Sequence, residues 1–372
     1  MIRVCPQAVF LHRASVLIMH GLSANWRFVQ LNEVLDHLRD RWSIFFSLPI
    51  PYQVPHMRLL RLVLSTLIVT SPLMAVSAQA QQVADDVVTR KVDIYSEGTR
   101  MTGYVFSPQT ASADAKLPTL VLAHGWGGTQ RGLRRDATRF SQAGYLVVTF
   151  DYRGWGESDS RIILTAAAAD HKAKTFEAEV RAVREVVDPL DMGTDWLNAL
   201  HWVQGEPQVD TARIGIWGSS MSGGYVVYAA AHDPRVKAVH SQVTGTLNGR
   251  SWGQSADSRT EATARARGNL GYPEPLAQFG GLRGAPITPR FADYVPSDDI
   301  RTNDKVALQF VLAENEEYGG NPLSIRTYEQ HEGPKNLVVI PGISHYDVYR
   351  DAWLQANDLA LAWFDKHLDN NR

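Results

Sequence analysis

The feature that most constrains this chain is a strand that runs into a helix with almost no turn between them. Ala212-Arg-Ile-Gly-Ile-Trp217 reads as a strand, and 221–232 is small and apolar enough to read as a helix. Only Gly218, Ser219 and Ser220 separate them. So sharp a turn presses the helix onto the strand, needs tiny residues on either side of its apex, and exposes the apical side chain. Gly218 supplies one small neighbour. The second position is Ser222 rather than glycine, with Gly223 and Gly224 directly after it. Of the three serines, Ser219 would leave Met221 where a small residue is wanted, and Ser222 would lie a turn into the helix. Ser220, set off from the end of the strand by Gly218 and Ser219, is the expected apex.

Around this turn, short apolar runs alternate with segments of helical spacing. Residues 87–106 suggest an opening hairpin turning at Ser96-Glu97-Gly98. Thr119–Ala123, Tyr145–Phe150, Val236–Val243, Val306–Ala313 and Leu337–Ile340 read as further strands. Helices are expected over 131–142, about 176–187, 194–204 and 350–368. The alternation predicts an α/β fold with a mostly parallel sheet covered on both faces. One stretch breaks the pattern. Residues from about 244 to 304, between the sixth and seventh strands, are rich in Gly, Arg, Ser and Pro, show no strand, and are too long for a plain loop. They are expected to form a helical lid.

The N-terminal part reads differently. Residues 1–56 mix apolar and basic residues without periodicity and carry no motif. Met57-Arg58-Leu59-Leu60-Arg61 then leads into an apolar run that closes at Ala78-Gln79-Ala80. This order of basic, apolar and small residues is that of a secretory signal peptide over 57–80. Residues 1–56 then read as an over-extended translation start, and 81–372 as the catalytic domain of an exported protein, periplasmic or secreted. An uncleaved membrane anchor is the rival, since no charge occurs between Arg61 and Asp85. Ser65, Thr66, Thr70, Ser71 and Pro72 weaken it. A peptide from 1–56 in the exported protein would contradict the signal reading. The only cysteine is Cys5, so a disulfide within the chain and a cysteine-rich zinc site are both excluded.

Three further motifs surround the sharp turn. Gly342-Ile-Ser-His345-Tyr-Asp-Val-Tyr349 follows the last strand, where His345 can act as a base toward Ser220. After the strand ending at Ala313 comes Glu314-Asn315-Glu316-Glu317, which can supply an acid to orient the imidazole. Glu316 is the expected acid and Glu314 the second choice, with at least two of the three glutamates expected to be solvated surface residues. Asp347 is too near His345 in sequence and is expected to bond the loop. His124-Gly-Trp126-Gly-Gly128 lets backbone approach a substrate carbonyl, and the backbone N–H groups of Trp126 and Met221 are the expected oxyanion donors. The same two residues flank the site and are the expected substrate contacts. His124 is expected to be structural.

With HGWGG at 124–128, FDYRGWGESD at 150–159, ARIGIWGSSMSGG at 212–224 and SHYDVY at 344–349, the chain resembles the α/β-hydrolase superfamily. Within it the dienelactone-hydrolase-like and cocaine-esterase or X-prolyl-peptidase-like branch is the most similar. The resemblance spans about 88–369 and implies the α/β-hydrolase fold and a serine hydrolase that cleaves a carboxylic ester through an acyl-enzyme. Asp151-Tyr-Arg-Gly154 is taken as support for the oxyanion loop. A serine nucleophile, where true dienelactone hydrolases use cysteine, argues against dienelactone as substrate. Glutamate as the acid departs from the commoner aspartate. An amidase or peptidase with the same Ser-His-acid set is the alternative, and a non-catalytic binding protein of this fold is a more distant one. A haloalkane-dehalogenase role would need a carboxylate at the turn.

No metal and no organic cofactor is implied. The expected partner is a small-molecule ester. A net charge of −2 without a basic stripe speaks against nucleic acid, and no stable membrane insertion is expected after signal cleavage. Trp252, Tyr272, Phe279, Phe291 and Tyr294 could line a pocket in the lid, though core packing of the lid is the expected role for most of them.

Overall fold

A computed structural model describes residues 86–368. The readings on 1–56 and 57–80 lie outside the described residues. Eight strands form one sheet: β1 (Val87–Ser96), β2 (Thr99–Pro108), β3 (Leu117–Ala123), β4 (Leu146–Phe150), β5 (Val209–Ser219), β6 (Val236–Gln242), β7 (Ala307–Asn315) and β8 (Lys335–Ser344). Their spatial order is β1-β2-β4-β3-β5-β6-β7-β8. β2 runs antiparallel to both its neighbours, and every other pairing in the sheet is parallel.

Side chains alternate across the sheet, and each face has its own apolar cover. On β3, Val121 and Ala123 pack toward α2 (Pro189–Gly205) and α3 (Met221–His232), through Trp196, Leu200, Tyr225 and Val226. Leu120 and Leu122 pack the other way, toward α1 (Arg134–Gln142) and the helix at Trp353–His367, through Phe140, Leu361 and Phe364. The period of two along each strand is what makes the sheet doubly covered.

The expected helix over 176–187 does not form. Val180–Ala182 instead pairs antiparallel with Ile162–Leu164, and Val186–Val187 pairs parallel with Ala285–Pro286. Three of the branched valines fall in these short strands, and Glu185 has a φ of +56°, which no helix continues through. Helix α2 then begins at Pro189 rather than at 194. The Asp188 side chain caps it, accepting from the N–H groups of Leu190 and Asp191.

The lid lies between β6 and β7 and carries the helix α4 (Ala256–Ala266). It is not purely helical. Gln278–Phe279 and Leu282–Arg283 form a hairpin, and Ala285–Pro286 supplies the short pairing to the segment after β4. Strands of two residues leave no periodicity to read. The remaining long helices are α5 (Asn321–Gln330) and α6 (Trp353–His367).

Asp136 fastens α1 to α6. It accepts hydrogen bonds from Trp353 Nε1 at 2.7 Å and Asn357 Nδ2 at 2.8 Å. Burial outweighs these bonds and raises its carboxyl from 3.8 to about 6. A raised folded-state value stabilises the protein below the unfolded-state pKa, and that contribution is lost as pH rises through about 6. Asp136→Asn keeps a carbonyl acceptor for both donors without the charge. It is expected to be more stable than the wild type by about 1–3 kcal/mol at about pH 8, with the gap nearly closed at about pH 4. Urea unfolding at the two pH values measures this, and a gap that does not change with pH would remove the argument.

Candidate active site

Ser220 sits at the end of β5 with φ +57° and ψ −125°, a conformation rarely held by a residue with a Cβ. The close packing that forces it is visible on either side. A Cβ on Gly218 would lie 2.3 Å from the carbonyl oxygen of Ser222, so no larger residue fits there. Ser222, by contrast, is accommodated. Its side chain is fully buried and its Oγ accepts from Tyr152 OH at 3.4 Å. Position 222 therefore tolerates serine because its side chain points into a polar niche while its backbone closes on Gly218. Ser219 is engaged elsewhere, with Tyr349 OH 2.7 Å and Gln242 Nε2 3.2 Å from its Oγ.

The structure brings Ser220 and His345 together. Ser220 Oγ lies 3.0 Å from His345 Nε2. His345 Nδ1 lies 2.9 Å from both carboxylate oxygens of Glu316, and both side chains are buried. A carboxylate can only accept, so Nδ1 carries the proton and Nε2 presents its lone pair to the Ser220 hydroxyl. The other two glutamates lie at the surface, as expected, but each also has a backbone partner. Glu314 Oε2 accepts from the backbone N–H of Gly342 at 2.7 Å, and Glu317 Oε2 from that of His345 at 3.0 Å. Both are exposed yet tied to the loop that carries the imidazole. Asp347 bonds the same loop, accepting from the N–H and hydroxyl of Ser344.

The glycine-rich loop after β3 runs over the turn at Ser220. A Cβ on Gly125 would lie 3.2 Å from the Ser220 Cβ, so glycine allows the backbone this approach. Met221 opens α3, and its N–H is one of the first-turn donors that a helix leaves without an internal partner. His124 Nδ1–H donates to the Gly125 carbonyl at 2.9 Å, and burial lowers the basicity of its ring. Asp151 accepts from the N–H groups of Gln130 and Glu157, linking the end of this loop to the segment after β4.

Comparison with known proteins agrees with this architecture. Residues 97–260 match the family model described as X-Pro dipeptidyl-peptidase (S15 family). The solved structure of the α/β hydrolase GrgF from Penicillium sp. sh18 superposes with a TM-score of 0.59 at 16% identity, over 76% of this chain and 99% of that one. The chain has the α/β-hydrolase fold. Relatives similar in sequence include two bacterial proteins. An uncharacterized 31.7 kDa protein of Escherichia coli, from the traX-finO intergenic region, is 27% identical over 306 residues, covering 73% of this chain and 97% of that one. The quorum-quenching protein AidA of Acinetobacter baumannii is 32% identical over 152 residues, 41% of this chain and 42% of its own.

In this fold a cavity of about 830 Å³ opens onto Ser220 and His345. Trp126 and Met221 line it, as do Trp252, Phe279, Phe291 and Tyr294 of the lid. Tyr272 does not. Its ring lies beside Arg265 and next to a separate small cleft. Trp126 stacks on Phe279 with ring centres 5.6 Å apart and donates its indole N–H to Gly284 O at 3.0 Å, so one residue joins the glycine-rich loop after β3 to the lid hairpin. Phe279 packs on Trp252, and Trp252 on Phe291. Sequence reasoning gave no role to three tyrosines that surround the imidazole. Tyr318 and Tyr346 meet His345 edge-on at 4.8 and 5.2 Å, and Tyr349 lies 6.4 Å away. Their signal was present in the run of aromatics around His345, but a tyrosine's spacing does not say which wall it joins.

Proposed function

We propose that this hydrolase cleaves carboxylic esters through an acyl-enzyme, with Ser220 as nucleophile, His345 as base and Glu316 as the acid that orients it. The observation that carries the reading is the line of two hydrogen bonds from Ser220 Oγ through the imidazole to Glu316, opening on a roomy and largely apolar cavity. Ser220 Oγ attacks the ester carbonyl while Nε2 takes its proton. The carbonyl oxygen becomes an oxyanion, held by the backbone N–H groups of Trp126 and Met221, each worth about 10²–10³ in rate. The imidazolium, stabilised by Glu316, returns the proton to the departing alcohol. Water, deprotonated by the same imidazole, then attacks the acyl-serine and releases the acid and Ser220. Catalysis at this serine needs no group beyond those named.

A peptidase is the second reading, favoured by the match of 97–260 to the X-Pro dipeptidyl-peptidase model. Amide cleavage requires the imidazolium to protonate a poorer leaving group, the amine nitrogen, before it departs. An aryl ester and the matching anilide separate the two. The ester is expected to be cleaved at least about 10³-fold faster in kcat/KM, and a fluorophosphonate is expected to label Ser220. Comparable rates on both would replace the esterase reading with the amidase one. The signal-like segment at 57–80 supports, on sequence grounds alone, the further proposal that the enzyme acts outside the cytoplasm.

A further inference from the structure

Four buried polar side chains cross the sheet beneath the site without any part in the reaction described above. Gln309 on β7, His240 and Gln242 on β6, and Ser219 at the end of β5 are each at most 3% exposed. Groups so buried must satisfy one another, and their hydrogen bonds can be directed from one end to the other. The fixed point is the carbonyl of Leu359, which can only accept and lies 3.0 Å from Gln309 Nε2. That identifies the amide nitrogen, and Asn336 Nδ2 donating to Gln309 Oε1 at 2.8 Å agrees. The second proton of Gln309 Nε2 goes to His240 Nδ1 at 2.8 Å, so Nδ1 is an acceptor and Nε2 carries the ring's proton. His240 Nε2 then donates to Gln242 Oε1 at 3.2 Å, and Gln242 Nε2 donates to Ser219 Oγ at 3.2 Å. The opposite tautomer would set the His240 Nδ1 proton against the amide protons of Gln309. A neutral His240 is consistent with its burial, which lowers the ring to about 4.

The chain ends on Tyr349. Ser219 Oγ already accepts from Gln242, and among the described residues its own proton meets one acceptor, Tyr349 OH at 2.7 Å. If Tyr349 donated instead, the buried Ser219 proton would have no partner, which costs about 1–3 kcal/mol. With Ser219 as donor, the Tyr349 proton is left over. Tyr349 lines the cavity with Ser220 and His345, and its hydroxyl is held at the residue next to the nucleophile.

We propose that Tyr349 is a substrate-binding residue whose hydroxyl proton, turned into the cavity by the directed chain from Leu359, donates to an oxygen of the ester's acyl or alcohol portion close to the scissile bond. Asp136 and Arg283 line the same cavity with opposite charges, so neither sign of charge on the substrate is favoured there. The substrate class is therefore an ester bearing an uncharged ether, hydroxyl or carbonyl oxygen near the reacting carbonyl. Its apolar remainder lies beneath the lid aromatics. The inference rests on the serine-hydrolase reading above.

Isosteric ester pairs test it. On the acyl side, 4-nitrophenyl butyrate is compared with 4-nitrophenyl methoxyacetate; on the alcohol side, butyl butyrate with 2-methoxyethyl butyrate. Dividing the effect of Tyr349→Phe on one member by its effect on the other cancels intrinsic reactivity. In at least one pair, Tyr349→Phe is expected to reduce kcat/KM for the oxygen-bearing ester about tenfold more than for the alkyl ester. Ser219→Ala, which frees the phenol to turn, is expected to lose about threefold of the same discrimination. Equal effects on both members of both pairs, in both variants, would overturn the proposal even if both variants take a fluorophosphonate label. A wild-type protein that takes no label and cleaves no ester overturns the serine-hydrolase reading first, and this proposal with it.

Discussion

Ser220→Ala is expected to lower kcat on an aryl ester by about 10⁴–10⁶-fold while leaving the fold intact. The size of the loss follows from the lack of a substitute. Ser219 Oγ is held between Gln242 and Tyr349, and Ser222 Oγ is fully buried. Neither hydroxyl can take over the bond to His345 Nε2 without rebuilding the turn. The fold should survive because alanine keeps the Cβ and with it the same strained backbone at φ +57°. The variant loses one partly exposed hydrogen bond, worth about 1 kcal/mol. Residual catalysis is then expected from the proposed oxyanion donors and from binding alone. Steady-state kinetics with a thermal melt of the same sample decides it. Retention of more than a few per cent of wild-type kcat would mean that another group is the nucleophile.

Glu316→Gln is expected to cost about 10³–10⁴ in kcat, and the neighbouring Glu314→Gln and Glu317→Gln each less than about tenfold. The three positions are nearly adjacent, yet they differ in what they accept. Glu316 takes the imidazole N–H, and in the proposed reaction its charge stabilises the imidazolium that forms as Ser220 attacks. A glutamine there can turn its NH₂ toward Nδ1. That forces the proton onto Nε2, where it faces the Ser220 hydroxyl and the ring can no longer act as a base. If the glutamine turns its oxygen instead, the tautomer is kept but the charge stabilisation is lost. Glu314 and Glu317 accept from backbone N–H groups of Gly342 and His345, and an amide oxygen accepts those almost as well. The three variants, assayed together on one ester, distinguish orientation of the base from anchoring of its loop. Equal losses in all three would demote Glu316 to a loop anchor.

The strands and the sharp turn were readable because each is a local consequence of side-chain size and period. Leu120, Val121 and Leu122 alternate between the two faces within three residues, and Gly218 is required by an oxygen four residues on. The segment 176–187 misled because its valines fit two periods, and the pairing to Ile162–Leu164 that selected the extended form is a contact made only on folding. The same holds for the lid, whose two-residue strands exist only as partners of one another. Glu316 could be ranked above Glu314 from its distance past the strand, but all three glutamates proved to be used, each by a different donor of the loop near His345.

By itself the amino-acid order determined the layered α/β plan, the steric elbow after β5 and the short list of reactive groups, since each of these depends on residues a few positions apart. Tertiary structure alone decided which hydroxyl meets the imidazole, which carboxylate faces Nδ1, and how Tyr349 comes to rest on Ser219, 130 residues away. A hydrogen bond is directional and short, so its partners are chosen by where the sheet and its loops bring them. Spacing along the chain could rank Ser220 and Glu316, but it carries no record of the meeting between Tyr349 and Ser219.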